Sequence, residues 1–160
     1  RKNMRVIEDR RVIIVVIIVL IIVYVIISFL PSPRQQEQTP CKGSAECLKG
    51  EVTSIVDGDT LYIGGTKIRL ALIDTPEIGE DGFEDAKNFT AGLCPVGSQA
   101  TADQDDEQLY DNYGRMLAVV YCNGKNLNEE LLESAHAVLL TEHCGESEFA
   151  DESWAKDYGC

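Results

Sequence analysis

The chain has 160 residues and a formal net charge of −13 at pH 7, and its charge is distributed unevenly. Residues 1–11 carry five basic and two acidic side chains, a net charge of +3, whereas the remainder carries 9 basic and 25 acidic side chains, a net charge of −16. Proteins that coat nucleic acids are basic, so this balance argues against such a role. It is compatible with a small, locally positive active site.

The run of residues 12–30 contains no charged side chain. At about 1.5 Å per helical residue, it comes close to spanning a hydrocarbon core of about 30 Å. The core of a signal peptide is shorter and is followed by small residues, whereas this run ends with Ser28-Phe29-Leu30-Pro31. We therefore expect an uncleaved transmembrane helix; the alternative is a cleaved signal that releases a secreted domain. The basic residues 1–11 predict a cytoplasmic N-terminal tail.

All six cysteines follow the apolar run, and disulfides form in oxidising compartments. The cysteines therefore predict an extracellular domain, which agrees with the orientation that the basic tail predicts. Residues 31–47 are rich in proline and glutamine and are typical of an extended linker. The domain itself is expected over residues 48–160.

Hydrophobic periodicity and turn residues predict the elements of this domain in chain order. Strands are expected at 51–56, 60–63 and 67–73, a helix at 83–93, further strands at 99–102 and 116–122, and helices at 127–137 and 147–158. Five short strands with a helix inserted after the third are typical of a closed barrel of the OB type. The predicted fold class is α+β, mainly β.

Three segments carry the candidate chemistry: VDGDT at 56–60, RLALIDTPE at 69–77 and DNYGR at 111–115. Each alone is typical of a turn or a helix cap. Together, Asp59 and Asp74 at the ends of neighbouring strands suit a hard cation such as Ca²⁺. Arg69 and Arg115 could clamp a phosphate, and Glu77 could activate a water molecule. We expect none of these five residues in the apolar core.

These segments, with YGRMLAVVY at 113–121 and NGKNLNEELLESAHAVL at 123–139, resemble the staphylococcal nuclease (thermonuclease) family over about residues 48–157. The resemblance implies that Asp59 and Asp74 are calcium carboxylates and that Thr75 supplies a backbone carbonyl. The resemblance also implies that Asp57 supports the metal site and that Glu77 acts as the general base. It implies that Arg69 and Arg115 bind phosphate and that Tyr113 contacts the nucleotide.

The implied activity is Ca²⁺-dependent hydrolysis of phosphodiester bonds in DNA and RNA, with a preference for single strands and with 3′-phosphate products. Two departures predict weaker substrate binding: Asn112 stands where some members have lysine, and the loop 103–111 is acidic. We expect the acidic runs to be solvated. The alternative function is a non-catalytic binding module on the same barrel, displayed on the cell surface. A monomer is expected in either case.

Six cysteines allow fifteen sets of three bridges. Closeness in the fold that the resemblance implies favours Cys41–Cys47, Cys94–Cys122 and Cys144–Cys160. Asn88-Phe89-Thr90 is a glycosylation sequon whose occupancy the sequence leaves open. His136 and His143 are not at zinc-ligand spacing and are interpreted as structural. Trp154 is expected to anchor the last helix in the core.

Overall fold

The structure is a computed structural model that describes residues 40–160 together with residues 17, 19 and 21, which are helical. The predicted cytoplasmic tail, most of the predicted transmembrane helix and the linker up to residue 39 lie outside the described residues. Among the residues that are described, no helix is long and apolar enough to cross a membrane. Residues 40–160 belong to one compact unit.

This unit contains eight strands and three α-helices. The strands are β1 (Cys47–Ile55), β2 (Thr60–Ile63), β3 (Thr66–Leu70), β4 (Ile73–Asp74), β5 (Gln99–Gln104), β6 (Met116–Cys122), β7 (Lys125–Asn126) and β8 (Val138–Leu139). The helices are α1 (Phe83–Leu93), α2 (Leu127–Glu133) and α3 (Ser153–Tyr158), and two 3₁₀ helices, Thr141–Glu146 and Glu148–Asp151, precede α3.

Five of the strands close into a barrel, which confirms the predicted OB-type fold. Strands β3, β2, β1, β5 and β6 pair in that order, and β3 also pairs in parallel with β6. The closing register aligns Arg69 with Leu117. Side chains of Leu61, Ile68 and Val120 inside the barrel are fully buried. Closure therefore places Arg69 and Leu70 at the end of β3 beside Leu117 and Ala118 of β6.

The predicted third strand, 67–73, is two strands separated by a sharp bend. Leu72 has a φ of 63°, a left-handed conformation that a leucine rarely adopts. Two main-chain hydrogen bonds fix the bend: the Ala71 N–H donates to Ala118 O, and Leu72 O accepts from the Leu140 N–H, both at 2.8 Å. The bend turns the chain out of β3 and into β4, which ends at Asp74.

Helix α2 is capped and then attached to the barrel by asparagines. The Asn126 side chain accepts hydrogen bonds from the N–H groups of Asn128 and Glu129, so the helix begins there. Asn128 is fully buried; its amide donates to Ala71 O at 2.9 Å and accepts from the Val120 N–H at 3.2 Å. The helix thereby supports the bend that carries the candidate site.

Two predicted helices are shorter than expected. Helix α2 ends at Glu133 rather than at residue 137, because Ala135 turns to a φ of 55° and the chain folds back onto Leu131 O. The predicted helix 147–158 is a 3₁₀ turn followed by α3, since Glu152 between them has an extended backbone. Trp154 in α3 is buried in the core, as expected.

The six cysteines form three disulfides in the pairing that the implied fold favours. Cys41–Cys47 closes a short loop before the barrel, Cys94–Cys122 joins the end of α1 to β6, and Cys144–Cys160 joins the first 3₁₀ helix to the end of the chain. The half-cystines Cys94 and Cys122 are buried in the core, whereas Cys41 and Cys47 are not.

These differences in loop length and burial predict unequal contributions to stability. The Cys94–Cys122 bridge spans 28 residues and Cys41–Cys47 spans 6. In the chain-entropy model the longer loop adds about 1 kcal/mol more to the free energy of unfolding. Removing Cys94 and Cys122 together as alanines should therefore lower the Tm more than removing Cys41 and Cys47. Thermal unfolding of both double variants checks this, and equal Tm losses would contradict it.

Candidate active site

The sequence-predicted residues meet at the barrel edge where β2 begins and where β3 and β4 end. Asp59 immediately precedes β2, and the first residue of β2, Thr60, pairs across the sheet with Arg69 of β3. Asp74 ends β4, and Arg115 immediately precedes β6. Because β3 pairs with both β2 and β6, barrel closure brings these side chains to one place.

The turn 56–60 is packed tightly enough to require glycine at its centre. The N–H groups of Val56 and Asp57 both donate to Thr60 O, closing the turn. A Cβ at Gly58 would lie 2.7 Å from the Thr75 hydroxyl oxygen and 2.8 Å from the Ala86 Cβ. The turn therefore sits against the chain after β4 and against α1, with Asp59 directed into the site.

Asp59 is the buried centre of the site, with 3% of its surface exposed. Its Oδ2 accepts hydrogen bonds from both the N–H and the hydroxyl of Thr75, each at 2.9 Å. Its Oδ1 accepts from the Thr60 hydroxyl at 3.1 Å and lies 3.2 Å from Arg69 Nε. Burying a charged carboxylate is costly unless it is hydrogen-bonded, and both oxygens of Asp59 have donors.

Arg69 is also buried, and most of its guanidinium is used within the protein. Nη2 donates to Asp74 Oδ1 at 2.8 Å, and Nη1 donates to the carbonyls of Leu70 and Ile73 at 2.6 and 2.5 Å. With the Nε contact to Asp59, four of its five N–H groups have partners within the chain. Arg69 thus holds the β3–β4 bend closed and bridges the two carboxylates.

The burial of Asp59 and Arg69 corrects the expectation that all five candidate residues lie outside the core. Truncating either one would leave buried donors or acceptors unpaired, which costs about 1–3 kcal/mol for each group and more for charged ones. The sequence could not show this, because Asp59 belongs to a short polar segment that is typical of a surface turn, and Arg69 is a charged residue within a predicted strand.

Arg115 is held at the rim of the site by Asp111. Asp111 Oδ2 accepts from Arg115 Nε at 2.5 Å, and Oδ1 accepts from the backbone N–H groups of Tyr113 and Arg115, both at 2.9 Å. Arg115 Nη1 donates to the Thr60 hydroxyl at 3.2 Å. Tyr113 is 85% exposed, with Arg115 5.5 Å from its ring centroid. The segment 111–115 is typical of a turn, and the four-residue spacing of Asp111 and Arg115 is the one sequence signal for their ion pair.

Glu77 lies at the mouth of the site in the field of the other carboxylates. Partial burial raises its pKa, and the charges of Asp57, Asp59 and Asp74 raise it further, while Arg69 lowers it. Its backbone N–H donates to Glu80 Oε2 at 2.8 Å, which fixes the turn that carries it. Glu77 is therefore close to the acidic cluster, and its carboxylate is more basic than that of an isolated glutamate.

Asp57 lies in the same turn as Asp59, two residues before it. Its Oδ1 accepts from the Asp59 N–H at 3.2 Å. Burial raises the pKa of Asp57 and the Asp59 charge raises it further, against hydrogen bonds from Thr60 and Asp59 that lower it. The sequence-predicted carboxylates are thus close enough to repel one another, and an added cation would relieve that repulsion.

The donor chemistry fits an oxygen-liganded cation. Asp59 and Asp74 face the same guanidinium, and Thr75 follows Asp74 directly and donates twice to Asp59. Carboxylates and carbonyls are the ligands of hard cations such as Ca²⁺. No cluster of three or more His, Cys, Asp or Glu side chains with metal-binding geometry occurs within the part of the chain that the structure describes. Two carboxylates with Thr75 would therefore leave further positions to water or substrate.

A cavity of about 200 Å³ opens beside the two arginines. Its lining includes Arg69, Arg115, Tyr113, Leu140 and His143. A phosphate placed at Arg115 would leave this space for the attached nucleoside.

The acidic loop 103–111 corrects the expectation that acidic runs are solvated. Asp105 is buried, and its Oδ1 accepts from the N–H groups of Glu107, Gln108 and Glu148. Asp103 is buried as well and accepts from the Lys42 N–H at 3.0 Å. These two charges therefore organise the loop that carries Asp111, and Asp105 also lines the cavity beside the two arginines.

The remaining candidates have structural partners. Thr90 of the sequon is buried and its hydroxyl donates to Gly58 O at 2.6 Å, while Asn88 is exposed on α1. The His136 ring lies 4.9 Å from the Phe89 ring, and His143 Nδ1 lies 3.2 Å from Glu146 Oε2. The occupancy of Asn88 by a glycan stays a prediction.

Comparison with known proteins agrees with this geometry. The family described as "Staphylococcal nuclease homologue" matches residues 67–154. The chain is 33% identical over 115 residues to Endonuclease YncB of Bacillus subtilis, covering 64% of this chain and 54% of that protein. It is 39% identical over 93 residues to SPbeta prophage-derived endonuclease YokF of Bacillus subtilis, covering 51% and 31% respectively.

A third relative has a name of a different kind. Succinoglycan biosynthesis protein ExoI of Rhizobium meliloti is 31% identical over 104 residues, covering 60% of this chain and 54% of that protein. The chain thus spans about half or less of the length of these relatives. Because the family match covers more than half of the chain, the chain belongs to the staphylococcal nuclease homologue family, which confirms the resemblance.

The raised pKa of Asp57 predicts a pH-dependent effect of Asp57→Asn. The folded chain holds a proton on Asp57 more tightly than the unfolded chain does, so its ionisation costs stability as pH rises above the ordinary value of 3.8. Removing the charge should raise the Tm by a few degrees at pH 7 and change it little below pH 3.8.

Asp157→Asn is the matched control, because Asp157 is exposed on α3. Thermal unfolding of both variants and the wild type across this pH range measures the effect. A Tm gain for Asp57→Asn that persists unchanged at low pH, or that Asp157→Asn reproduces, would contradict the stated cause.

Proposed function

We propose that the protein is a Ca²⁺-dependent nuclease that hydrolyses phosphodiester bonds of DNA, RNA or both, prefers single strands and leaves 3′-phosphates. One observation carries this proposal: the carboxylates of Asp59 and Asp74 lie at the same barrel edge as Arg115. Glu77, whose pKa is raised by burial and by neighbouring carboxylates, lies there too. Membership of the family and the names of two relatives support it.

The site residues divide the chemistry among them. Asp59, Asp74 and Thr75 would hold Ca²⁺, which supplies positive charge beside the reacting phosphate. Arg115 uses Nε for Asp111 and Nη1 for the Thr60 hydroxyl, and its remaining N–H groups would donate to the non-bridging phosphate oxygens, where charge develops in the transition state. Glu77 would accept a proton from the attacking water, and its raised pKa makes it a better base.

The preference for single strands has its own structural support. Tyr113 is almost fully exposed beside Arg115, where a base attached to the bound phosphate could stack on its ring. The adjoining cavity is small, and bases held in a duplex would not reach it. Since the domain is strongly acidic, stacking would supply affinity that charge does not.

The proposed location is the outer face of a membrane, with residues 12–30 as the anchor. Three disulfides within residues 41–160 favour an oxidising compartment. A nuclease in that place would act as a monomer on extracellular nucleic acid, for nutrition or defence. Cleavage after the apolar run would give a secreted form with the same domain.

The second candidate function is a binding module without catalysis. One observation favours it: Arg69, expected to clamp phosphate, has most of its donors occupied by the chain itself. A site left with Arg115 as its main phosphate donor could bind a strand without cutting it. Cleavage by the purified chain distinguishes the two functions.

The decisive assay follows cleavage of a short labelled single strand across a calcium titration and with a chelator. Glu77→Gln should lower kcat by about 10²–10⁴ by loss of the base. Arg115→Ala should lower it by about 10²–10³, and added calcium should not restore it, because the missing donor serves the phosphate. The 3′ end of the product should carry phosphate.

Matched controls are Glu84→Gln, an exposed glutamate on α1, and Lys67→Ala, a cation on β3 outside the site. Both controls should cut like the wild type. Wild-type rates for both Glu77→Gln and Arg115→Ala would show that this is not an active site, and strand binding without cleavage by the wild type would support the binding module.

A further inference from the structure

Thr60 has a role in the site that the sequence did not reveal. It is the first residue of β2, is 1% exposed and pairs across the sheet with Arg69. Its hydroxyl lies between two charged groups: Arg115 Nη1 at 3.2 Å and Asp59 Oδ1 at 3.1 Å. A single hydroxyl therefore joins the rim arginine to the buried carboxylate.

The direction of these hydrogen bonds is fixed by chemistry. A guanidinium has donors only, so Thr60 Oγ1 must accept from Arg115. An ionised carboxylate has acceptors only, so the single hydroxyl proton must go to Asp59. No other arrangement satisfies both charged neighbours.

Two segments distant in sequence thus meet at one oxygen atom. Arg115 precedes β6, and Thr60 and Asp59 lie at the start of β2; β3 stands between them in the sheet and pairs with both strands. Asp111 accepts a hydrogen bond from Arg115 Nε, but this side-chain contact alone leaves the planar guanidinium free to pivot about Nε. The Thr60 hydroxyl adds a second fixed point on the guanidinium.

We propose that Thr60 is a positioning residue that couples Arg115 to Asp59, holding the phosphate-binding arginine at a set distance from the cation-binding carboxylate. The inference rests on the proposed function and deepens it. Geometry of this kind matters because a misplacement of about 1 Å in a catalytic group can cost about 10²-fold in rate.

Two substitutions separate the hydroxyl from the shape of the side chain. Thr60→Val keeps the branched shape that suits a strand but removes the hydroxyl, whereas Thr60→Ser keeps the hydroxyl. Thr60→Val should lower kcat/KM for a single strand by about 10–100-fold, and Thr60→Ser should stay within about threefold of the wild type.

A double-mutant cycle with Arg115→Ala tests whether Thr60 acts through that arginine. If it does, adding Thr60→Val to Arg115→Ala should lower kcat/KM by less than about threefold more, because coupled residues are not additive. Thr90→Val is the matched control: Thr90 is a buried threonine whose hydroxyl donates to Gly58 O instead of meeting Arg115. Its effect should be the same with and without Arg115.

The same cycle is measured in binding, by fluorescence anisotropy of a labelled phosphorothioate single strand. Thr60→Val should weaken binding only when Arg115 is present. Wild-type behaviour of Thr60→Val, or an equal loss in both backgrounds, would overturn the inference. A wild type that binds without cutting, with the cycle intact in binding, would reject the nuclease and retain the coupling by Thr60.

Discussion

The site is organised around one buried charge, the carboxylate of Asp59. Burying a charged carboxylate is costly unless it is hydrogen-bonded and paired; Asp59 accepts hydrogen bonds from Thr60 and Thr75 and lies 3.2 Å from Arg69 Nε. Each of these partners comes from a different stretch of chain, so satisfying this carboxylate fixes the start of β2, the end of β3 and the chain after β4. The glycine turn before Asp59 and the bend at Leu72 bring those stretches close enough.

Arg69 balances part of the negative charge of this arrangement. Its guanidinium lies between Asp59 and Asp74 and offsets part of their repulsion. Breaking such a buried pair by removing one partner costs about 3–5 kcal/mol. The resemblance implies a phosphate-binding role for Arg69; the contacts show in addition that it is a structural member of the site. Arg115, held through Asp111 at the rim, has more freedom to meet a ligand.

The sequence predicted the architecture well where the pattern is strongly periodic. Helix α1 and strand β6 have the predicted bounds, 83–93 and 116–122, because their apolar positions recur at the period of a helix or of a buried strand. The break at Leu72 escaped prediction because the apolar residues at positions 68, 70 and 72 continue one strand pattern. The bend itself depends on tertiary hydrogen bonds that involve Ala118, Leu140 and Arg69. The early end of α2 escaped prediction for a similar reason, because an alanine such as Ala135 does not signal a left-handed turn in the sequence.

For the candidate site, the sequence predicted which residues take part but not how they contact one another. Residue types that carry charge were identified from three short motifs, and the structure brings Asp59, Asp74, Arg69, Arg115 and Glu77 to one barrel edge. What the motifs could not show was how these charges are used: the burial of Asp59 and Arg69, the pairing of Asp111 with Arg115 and the bridging hydroxyl of Thr60. These depend on barrel closure between β3 and β6, which joins segments about fifty residues apart.

Calorimetric titration of calcium into the purified chain tests most directly whether Asp59 is the centre of a cation site. Asp59→Asn should abolish measurable binding, whereas Asp103→Asn should bind like the wild type, because Asp103 is an equally buried aspartate whose partner is the Lys42 N–H outside the site. Thermal unfolding of each variant confirms that it is folded. Calcium binding by folded Asp59→Asn with the wild-type affinity would contradict the account.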